Sequence, residues 1–222
     1  MPARNSHGSA LDSLLGDTPV VPVVVLGEVA AAVPLARALL AGGLRVIEVT
    51  LRTPTALAVI AAMTEHVPDA IVGAGTVLEP AQFAAAAKAG ARFTVSPGAS
   101  SALLEAASSS PVPWLPGAST ASEVQSLRER GYRLLKFFPA EPGGGTGFLR
   151  AIYGPIPDVR FCPTGGVDES SAARYLALPN VACVGGSWLA PSSLLAARNW
   201  DEIRQRAVRA RDLRPSVATP AM

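Results

Sequence analysis

The chain has 222 residues, a length that suits one domain around a single large core. Hydrophobic residues make up 49% of it and charged residues 16%, which excludes disordered and fibrous proteins. The net charge of +2, with scattered basic residues, gives no electrostatic case for nucleic acid. No apolar run approaches the roughly 20 residues that cross a bilayer, and the N-terminus lacks an apolar signal core. We expect a cytoplasmic protein with neither nucleic acid nor membrane as a partner.

The cysteines and histidines do not indicate a metal site. Cys162 and Cys183 fit a reducing compartment. The only histidines, His7 and His66, stand at positions unrelated to them. We interpret both cysteines as core residues, and we expect no metal and no other cofactor.

Short apolar, β-branched segments alternate with Ala- and Leu-rich segments of helical spacing. Each period of about 20 to 26 residues has room for one strand, one helix and two short loops. The eight predicted strands are Val20–Leu26, Arg45–Leu51, Ala70–Gly75, Arg92–Ser96, Val112–Pro116, Arg133–Phe138, Val159–Pro163 and Val181–Gly185. The predicted helices are Val29–Ala41, Thr55–His66, Pro80–Ala89, Ser100–Ser109, Thr120–Arg130, Thr146–Tyr153, Glu169–Ala177 and Asn199–Arg211.

Two helix starts carry recognisable signals. Thr53 and Pro54 precede the second helix, where a threonine can cap and a proline can occupy the first turn. The fifth helix opens with Ser119 or Thr120 and has Glu123 in its first turn, as in a capping box.

The predicted strands are apolar on both faces, which is typical of a parallel sheet covered on both sides. Eight βα units favour a closed barrel over an open sheet. The first βα loop also lacks the GxGxxG turn of dinucleotide-binding folds. We therefore predict one domain over residues 1–222, an α/β fold forming a single parallel (β/α)8 TIM barrel with a short N-terminal helix. Residues 1–10 and 213–222 are expected to be tails.

The sixth predicted strand contains Lys136 between two apolar residues on each side. Lysine is almost never fully buried without a reason. Strand parity places it on one face with Leu134 and Phe138. If that face looks into the barrel, removal of the amine from water favours its neutral, nucleophilic form. The alternative is a lysine whose amine reaches solvent at the strand end.

Glu48 interrupts the apolar second strand, on the same face as Val46 and Thr50. A glutamate there is costly to bury unless it is paired or protonated, and such a group suits proton transfer. A surface-edge or ion-paired glutamate is the alternative. Arg52, four residues later, must lie beyond the strand end if both serve one site.

The other strand ends supply glycines and one hydroxyl. The third strand ends in Gly73-Ala-Gly75, where bare backbone allows close approach of a ligand, followed by Thr76 at the rim. Thr76 equally suits a turn or a helix cap. Glycine pairs follow the last two strands, at Gly165-Gly166 and Gly185-Gly186. In barrels these two loops often bind phosphate through backbone N–H groups, although ordinary turn glycines give the same pattern.

These residues belong to segments that resemble a known family, the 2-keto-3-deoxy-6-phosphogluconate aldolases, whose members often also act on 4-hydroxy-2-oxoglutarate. The resemblance extends over roughly residues 12–205. Its segments are Val21–Val23, Gly43–Thr53, Ile71–Val77, Ser96–Gly98, Leu115–Gly117, Lys136–Ala140, Arg160–Gly166 and Gly185–Trp188. Departures are confined to the tails and to the run Gly143-Gly144-Gly145.

The resemblance implies a role for each matching position. Lys136 corresponds to the Schiff-base lysine and Glu48 to the general acid/base. The implied substrate contacts are Arg52 and Thr76 for the carboxylate end, Pro97 and Phe138 for the pocket wall, and Thr164, Gly165, Gly166, Gly186 and Ser187 for the phosphorylated end. The family is typically homotrimeric and needs no metal. A class I aldolase acting on a phosphorylated 2-keto acid is therefore expected.

Three alternatives stay open at this point. An unphosphorylated or epimeric substrate, such as 2-keto-3-deoxy-6-phosphogalactonate, would use the same catalytic residues. A barrel phosphosugar isomerase or epimerase would share the phosphate loops without needing a neutral lysine. A non-catalytic sugar-phosphate binder is expected to have lost Lys136 or Glu48, and both are present.

Overall fold

The structure is a computed structural model that describes residues 6–213. Of the two expected tails, residues 1–5 and 214–222 lie outside this range. An N-terminal helix was predicted, but the tail prediction is wrong for residues 6–10, because they belong to the helix Ser6–Leu15.

Strands and helices alternate along the described chain. The strands are β1 (Val20–Val24), β2 (Val46–Thr50), β3 (Ile71–Gly75), β4 (Phe93–Val95), β5 (Trp114–Leu115), β6 (Gly117–Ala118), β7 (Leu134–Phe137), β8 (Arg160–Pro163) and β9 (Val184–Gly186). The helices are α1 (Ser6–Leu15), α2 (Ala32–Ala41), α3 (Ala56–His66), α4 (Ala81–Lys88), α5 (Ser101–Ser108), α6 (Ala121–Glu129), α7 (Gly145–Tyr153), α8 (Glu169–Leu176), α9 (Ser192–Ala196) and α10 (Trp200–Arg211). A 3-10 helix, Val29–Ala31, precedes α2.

All pairings between these strands are parallel. One sheet has the order β5-β4-β3-β2-β1-β9, and a second has the order β6-β7-β8. Pro116 alone separates β5 from β6, and isolated bridges join Phe161 to Val181 and Thr164 to Gly185. The α/β fold with a curled parallel sheet is thus confirmed, while a closed barrel of eight units stays a prediction.

The sheet is buried on both faces, as its apolar strands predicted. The larger core lies between the sheet and the surrounding helices. A smaller core lies on the inner face, where Val46 and Leu134 pack with Leu11 and Leu15 of α1. Both strand residues begin their strands, so α1 covers the amino ends of the sheet. The carboxyl ends are left for a site.

Pro116, the last residue of the predicted fifth strand, separates β5 from β6, and β6 lies beyond that prediction. The ring nitrogen of Pro116 carries no hydrogen, so it cannot donate to a ladder. Its carbonyl nevertheless accepts a hydrogen bond from the backbone N–H of Lys136 at 2.8 Å. The interruption therefore leaves β7 anchored to this segment.

Several predicted boundaries were wrong in detail. The predicted strand Val181–Gly185 is observed at Val184–Gly186, and α9 was not predicted. Thr53 does not cap α3, because its hydroxyl donates to the carbonyl of Leu26 and so ties this loop to the end of β1. The capping box of Thr120 and Glu123 at α6 is confirmed.

Trp114 tests the core between sheet and helices. It is fully buried, packs edge-to-face with Phe83 and Tyr132 at 5.6 Å, and donates from Nε1 to Ser96 Oγ. We expect Trp114→Ala to lower the free energy of unfolding by about 3–5 kcal/mol, because it leaves a large cavity. Denaturant unfolding followed by circular dichroism measures this. Tyr153→Ala, at an exposed side chain, is the control and should change it by less than about 1 kcal/mol.

Candidate active site

A buried ion pair near the carboxyl ends of the strands joins β7 to β2. Lys136 Nζ donates to Glu48 Oε1 at 3.1 Å, and each side chain is at most 5% exposed. Val46 and Leu134, two residues earlier on the same strands, lie in the inner core. Parity therefore directs Glu48 and Lys136 to the same inner face. The structure brings these two predicted site residues together.

The surroundings of Lys136 differ from the expected apolar ones. Its amine contacts a carboxylate and lies 5.5 Å from the centre of the Phe138 ring. Two opposite charges in direct contact compensate each other's removal from water, whereas deletion of one partner of such a pair costs about 3–5 kcal/mol. Lys136 and Glu48 can therefore be buried at low cost only in contact with each other.

Gly75, on the neighbouring strand β3, makes room for the Glu48 carboxylate. A Cβ at this position would lie 2.1 Å from Glu48 Oε1. Gly73 likewise faces the Phe93 ring, which would lie 2.3 Å from an added Cβ. From the sequence we expected a ligand to approach these glycines closely. In the structure, the side chains of Glu48 and Phe93 make these close approaches.

Arg52 and Thr76 form a second polar group at the rim. Arg52 lies beyond the end of β2, as expected, and its Nε donates to Thr76 Oγ1 at 3.3 Å. Thr76 has a φ of 60°, in the left-handed region that non-glycine residues seldom adopt. The structure holds a guanidinium and a hydroxyl side by side, a combination that suits a substrate carboxylate.

The loops after β7 and β8 are joined along their backbones. The N–H of Ala140 donates to the carbonyl of Thr164 at 2.8 Å, and that of Glu141 donates to Gly165 at 3.0 Å. Gly165 also packs against the ring of Phe138. The predicted pocket wall and the predicted phosphate loop are therefore one connected surface.

The other predicted contacts have different surroundings. The carbonyl of Pro97 packs on Gly117, and Thr164 Oγ1 packs on Gly185. Gly186 is buried under the ring of Trp188, which a Cβ would meet at 1.9 Å, while Ser187 is exposed. Gly186 thus accommodates a side chain, and Ser187 is the more accessible of the two.

Sequence reasoning missed Glu141 and Tyr175. The Glu141 carboxylate follows β7 closely, and it accepts a hydrogen bond from Tyr175 Oη at 2.7 Å. A charge just past a strand end could have singled out Glu141. Tyr175 lies inside α8, and nothing in the sequence distinguishes it from an ordinary core residue.

Within residues 6–213, no group of three or more His, Cys, Asp or Glu side chains is placed to hold a metal ion. No helix in that range is long and apolar enough to cross a membrane.

Comparison with known proteins identifies the family. Residues 11–206 match the family model described as "Aldolase: KDPG and KHG aldolase". The chain is 52% identical to 2-dehydro-3-deoxy-phosphogluconate aldolase of Pseudoalteromonas atlantica, over 86% of this chain and 89% of the relative. It is 50% identical to the KHG/KDPG aldolase of Escherichia coli K12, over 90% and 93% of the two chains.

A solved structure agrees with these relatives. The KDPG aldolase of Legionella pneumophila, with pyruvate captured as a covalent carbinolamine intermediate, superposes with a TM-score of 0.87 at 45% identity. The match covers 90% of this chain and 97% of that one. Sequence and fold lead to the same conclusion: the chain belongs to the KDPG and KHG aldolase family and is a carbon–carbon lyase.

Proposed function

We propose that this protein is a class I aldolase that cleaves 2-keto-3-deoxy-6-phosphogluconate to pyruvate and glyceraldehyde 3-phosphate, with Lys136 as its Schiff-base lysine. The observation that carries this is the buried contact of 3.1 Å between Lys136 Nζ and Glu48 Oε1 at the carboxyl ends of the strands. This contact supports the proposal, because an amine that is to act as a nucleophile needs a proton acceptor beside it and little water around it.

The first step is attack of Lys136 on the C2 ketone of the substrate. The amine must lose a proton, and the Glu48 carboxylate lies within hydrogen-bond reach to accept it. The bond from nitrogen to C2 forms, and the ketone oxygen takes one proton from the nitrogen and the one that Glu48 returns, so that it leaves as water and Glu48 is again a carboxylate. The resulting iminium ion is an electron sink.

The second step breaks the bond between C3 and C4. Glu48, through a water, takes the proton of the C4 hydroxyl, and the bonding electrons pass into the iminium to give an enamine. Glyceraldehyde 3-phosphate leaves. Glu48 then returns its proton to C3, and water hydrolyses the new iminium to release pyruvate and the free amine.

The rest of the substrate is held by the other predicted contacts. Arg52 and Thr76 would bind the carboxylate, since their side chains are already joined at the rim. Pro97 and Phe138 would line the pocket. The phosphate end would lie on the backbone of the last two βα loops, at Thr164, Gly165, Gly166, Gly186 and Ser187.

Substrate choice within the family depends on the groups that the substrate carries at C4 and beyond. Cleavage of 4-hydroxy-2-oxoglutarate to pyruvate and glyoxylate would use the same lysine and glutamate, because this substrate has the same 2-keto acid and C4 hydroxyl, with a carboxylate at C5 in place of the phosphorylated end. A galactonate-derived substrate differs at C4, next to the water that Glu48 would use. The relatives of about 50% identity are aldolases of the gluconate-derived compound, which favours that epimer. An isomerase or epimerase is not favoured.

We also propose that the two sheets are parts of one closed barrel of eight βα units. Two observations support this. β5 and β6 adjoin through Pro116, and the bridges from Phe161 to Val181 and from Thr164 to Gly185 run between β8 and the β9 segment. Counting β5 and β6 as one strand gives eight.

An assembly of three copies is the proposed quaternary state. Val25, Val29 and Leu57 are exposed apolar side chains on neighbouring segments, because the 3-10 helix that carries Val29 packs against α3. We call these three residues the apolar flank. Exposed apolar patches on soluble proteins commonly mark contacts with other chains. We propose that another copy of this chain binds the apolar flank.

A cytoplasmic location is proposed as well. Cys162 and Cys183 are buried thiols, and thiols persist in reducing compartments. Cell fractionation with a periplasmic marker enzyme tests this location.

Reductive trapping tests the proposed nucleophile. The sequence contains two lysines, Lys88 and Lys136. Borohydride added in the presence of pyruvate should reduce the iminium and leave a carboxyethyl group on the peptide that contains Lys136, measured by mass spectrometry. Lys88→Ala, at an exposed position, should still form the adduct, and Lys136→Ala should form none. An adduct that persists in Lys136→Ala contradicts the assignment.

Gly75→Ala tests the placement of Glu48. The added Cβ would collide with the carboxylate at 2.1 Å, so Glu48 must move away from Lys136. We expect kcat to fall roughly a hundredfold, the usual effect of misplacing a catalytic group by about 1 Å. Gly147→Ala is the matched control, because a Cβ there meets nothing within 4 Å. Full activity in Gly75→Ala would show that the observed position of Glu48 is not required.

Leu57→Asp tests the apolar flank. A charge at the centre of an interface between copies is costly to bury, so this variant should dissociate to monomers while the wild-type chain is trimeric. Sedimentation equilibrium measures the mass. Tyr153→Asp, an exposed position on α7, is the control and should stay trimeric. A trimeric Leu57→Asp variant would exclude the flank as the interface.

A further inference from the structure

We propose that Glu141, held by Tyr175, is a positioning residue that fixes the shape of the loop receiving the phosphorylated end of the substrate. The loop concerned follows β8 and contains Gly165 and Gly166. This inference rests on the proposed function, since it explains how the same site distinguishes phosphorylated from unphosphorylated substrates.

Tyr175 holds the carboxylate of Glu141 in place. Its side chain is fully buried in α8, and its hydroxyl donates to Glu141 Oε1 at 2.7 Å. Burial, together with the hydrogen bond to the carboxylate, raises the pKa of Tyr175 well above its ordinary value. The hydroxyl therefore stays protonated as a donor. A carboxylate on an exposed residue is thus held in one orientation by a buried group.

Glu141 holds the phosphate loop at two points. Its backbone N–H donates to the carbonyl of Gly165 at 3.0 Å. Its side chain lies on Gly166, where an added Cβ would lie 2.7 Å from Glu141 Cβ. Gly165 and Gly166 have φ values of 97° and 82°, a region nearly confined to glycine. Such a pair of residues has wide backbone freedom unless a neighbour restricts it.

The same contact also reaches the start of α7. A Cβ on Gly145 would lie 3.3 Å from Tyr175 Oη and 3.7 Å from Glu141 Oε2. The hydroxyl and the carboxylate are therefore packed between the glycine run before α7 and the phosphate loop. Without the hydroxyl, the Glu141 carboxylate can turn into solvent, and the backbone N–H groups of the loop lose their fixed positions.

The separation from the chemistry makes the role testable. Lys136 and Glu48 are buried on the inner face, while Glu141 is exposed at the rim. Loss of the Tyr175 hydroxyl should therefore weaken binding of the phosphate end and leave the bond-breaking steps unchanged. 4-Hydroxy-2-oxoglutarate ends in a carboxylate at C5, short of the position of the phosphate, so its cleavage should be insensitive to this loss.

The experiment compares two substrates in four variants. For 2-keto-3-deoxy-6-phosphogluconate, Tyr175→Phe and Glu141→Ala should raise KM about tenfold with kcat nearly unchanged, the ratio expected for losing one hydrogen bond to a charged group. For 4-hydroxy-2-oxoglutarate, neither variant should change kcat or KM by more than about twofold. Glu141→Gln keeps an acceptor for the hydroxyl and should restore a nearly wild-type KM. Tyr153→Phe removes an exposed hydroxyl and is the matched control.

Calorimetric titration with inorganic phosphate gives a readout that is independent of cleavage. Its affinity should fall about tenfold in Tyr175→Phe and Glu141→Ala. Equal losses with both substrates, or unchanged phosphate affinity, would overturn the positioning role. If the wild-type protein cleaves neither substrate, the proposed function fails, and the phosphate titration alone then decides whether Glu141 and Tyr175 shape an anion site.

Discussion

The buried contact between Lys136 and Glu48 is the constraint on which the rest of the site depends. Two charged side chains can occupy the inner face only in direct contact, so β2 and β7 must place them at one height although they are 88 residues apart. Neighbouring segments fit this contact. Gly75 of β3 leaves room for the Glu48 carboxylate, and the Pro116 carbonyl accepts a hydrogen bond from the backbone N–H of Lys136. The site thus depends on how the six-stranded sheet that contains β2 and the three-stranded sheet that contains β7 are placed relative to each other.

The two ends of the pocket are built in different ways. At the reacting end, positions are set by strands covered on both faces, and small displacements are resisted by close packing. At the proposed far end, loops would carry the contacts, and loops hold their shape only where side chains restrain them. The contact between Glu141 and Tyr175 would supply that restraint from α8. In the proposed function, the residues that set how the substrate reacts are thus separate from those that select its far end.

The sequence predicted the parts of the molecule that depend on local pattern. Apolar strands with one lysine or one glutamate identified Lys136 and Glu48, and parity gave the residues that share a face with each of them on its own strand. It could not predict that the two side chains touch, because register between distant strands is not written in either segment. It assigned Gly75 to a ligand because a glycine's neighbour in space is invisible in sequence. Tyr175 went unnoticed because its hydroxyl finds Glu141 only in the folded chain.

The pairing of Lys136 with Glu48 also explains how the proposed reaction can take place in a site removed from water. In the proposed mechanism, the resting pair, the iminium facing the carboxylate, and the neutral enamine facing a protonated Glu48 all carry zero net charge. The proton from the C4 hydroxyl reaches Glu48 as the electrons reach nitrogen, so each lost charge is matched by another. An isolated lysine in the same place would have to create or destroy a buried charge at every step, at a large desolvation cost. In this mechanism the carboxylate would act as more than a base, because it would keep the inner face electrically balanced throughout the reaction.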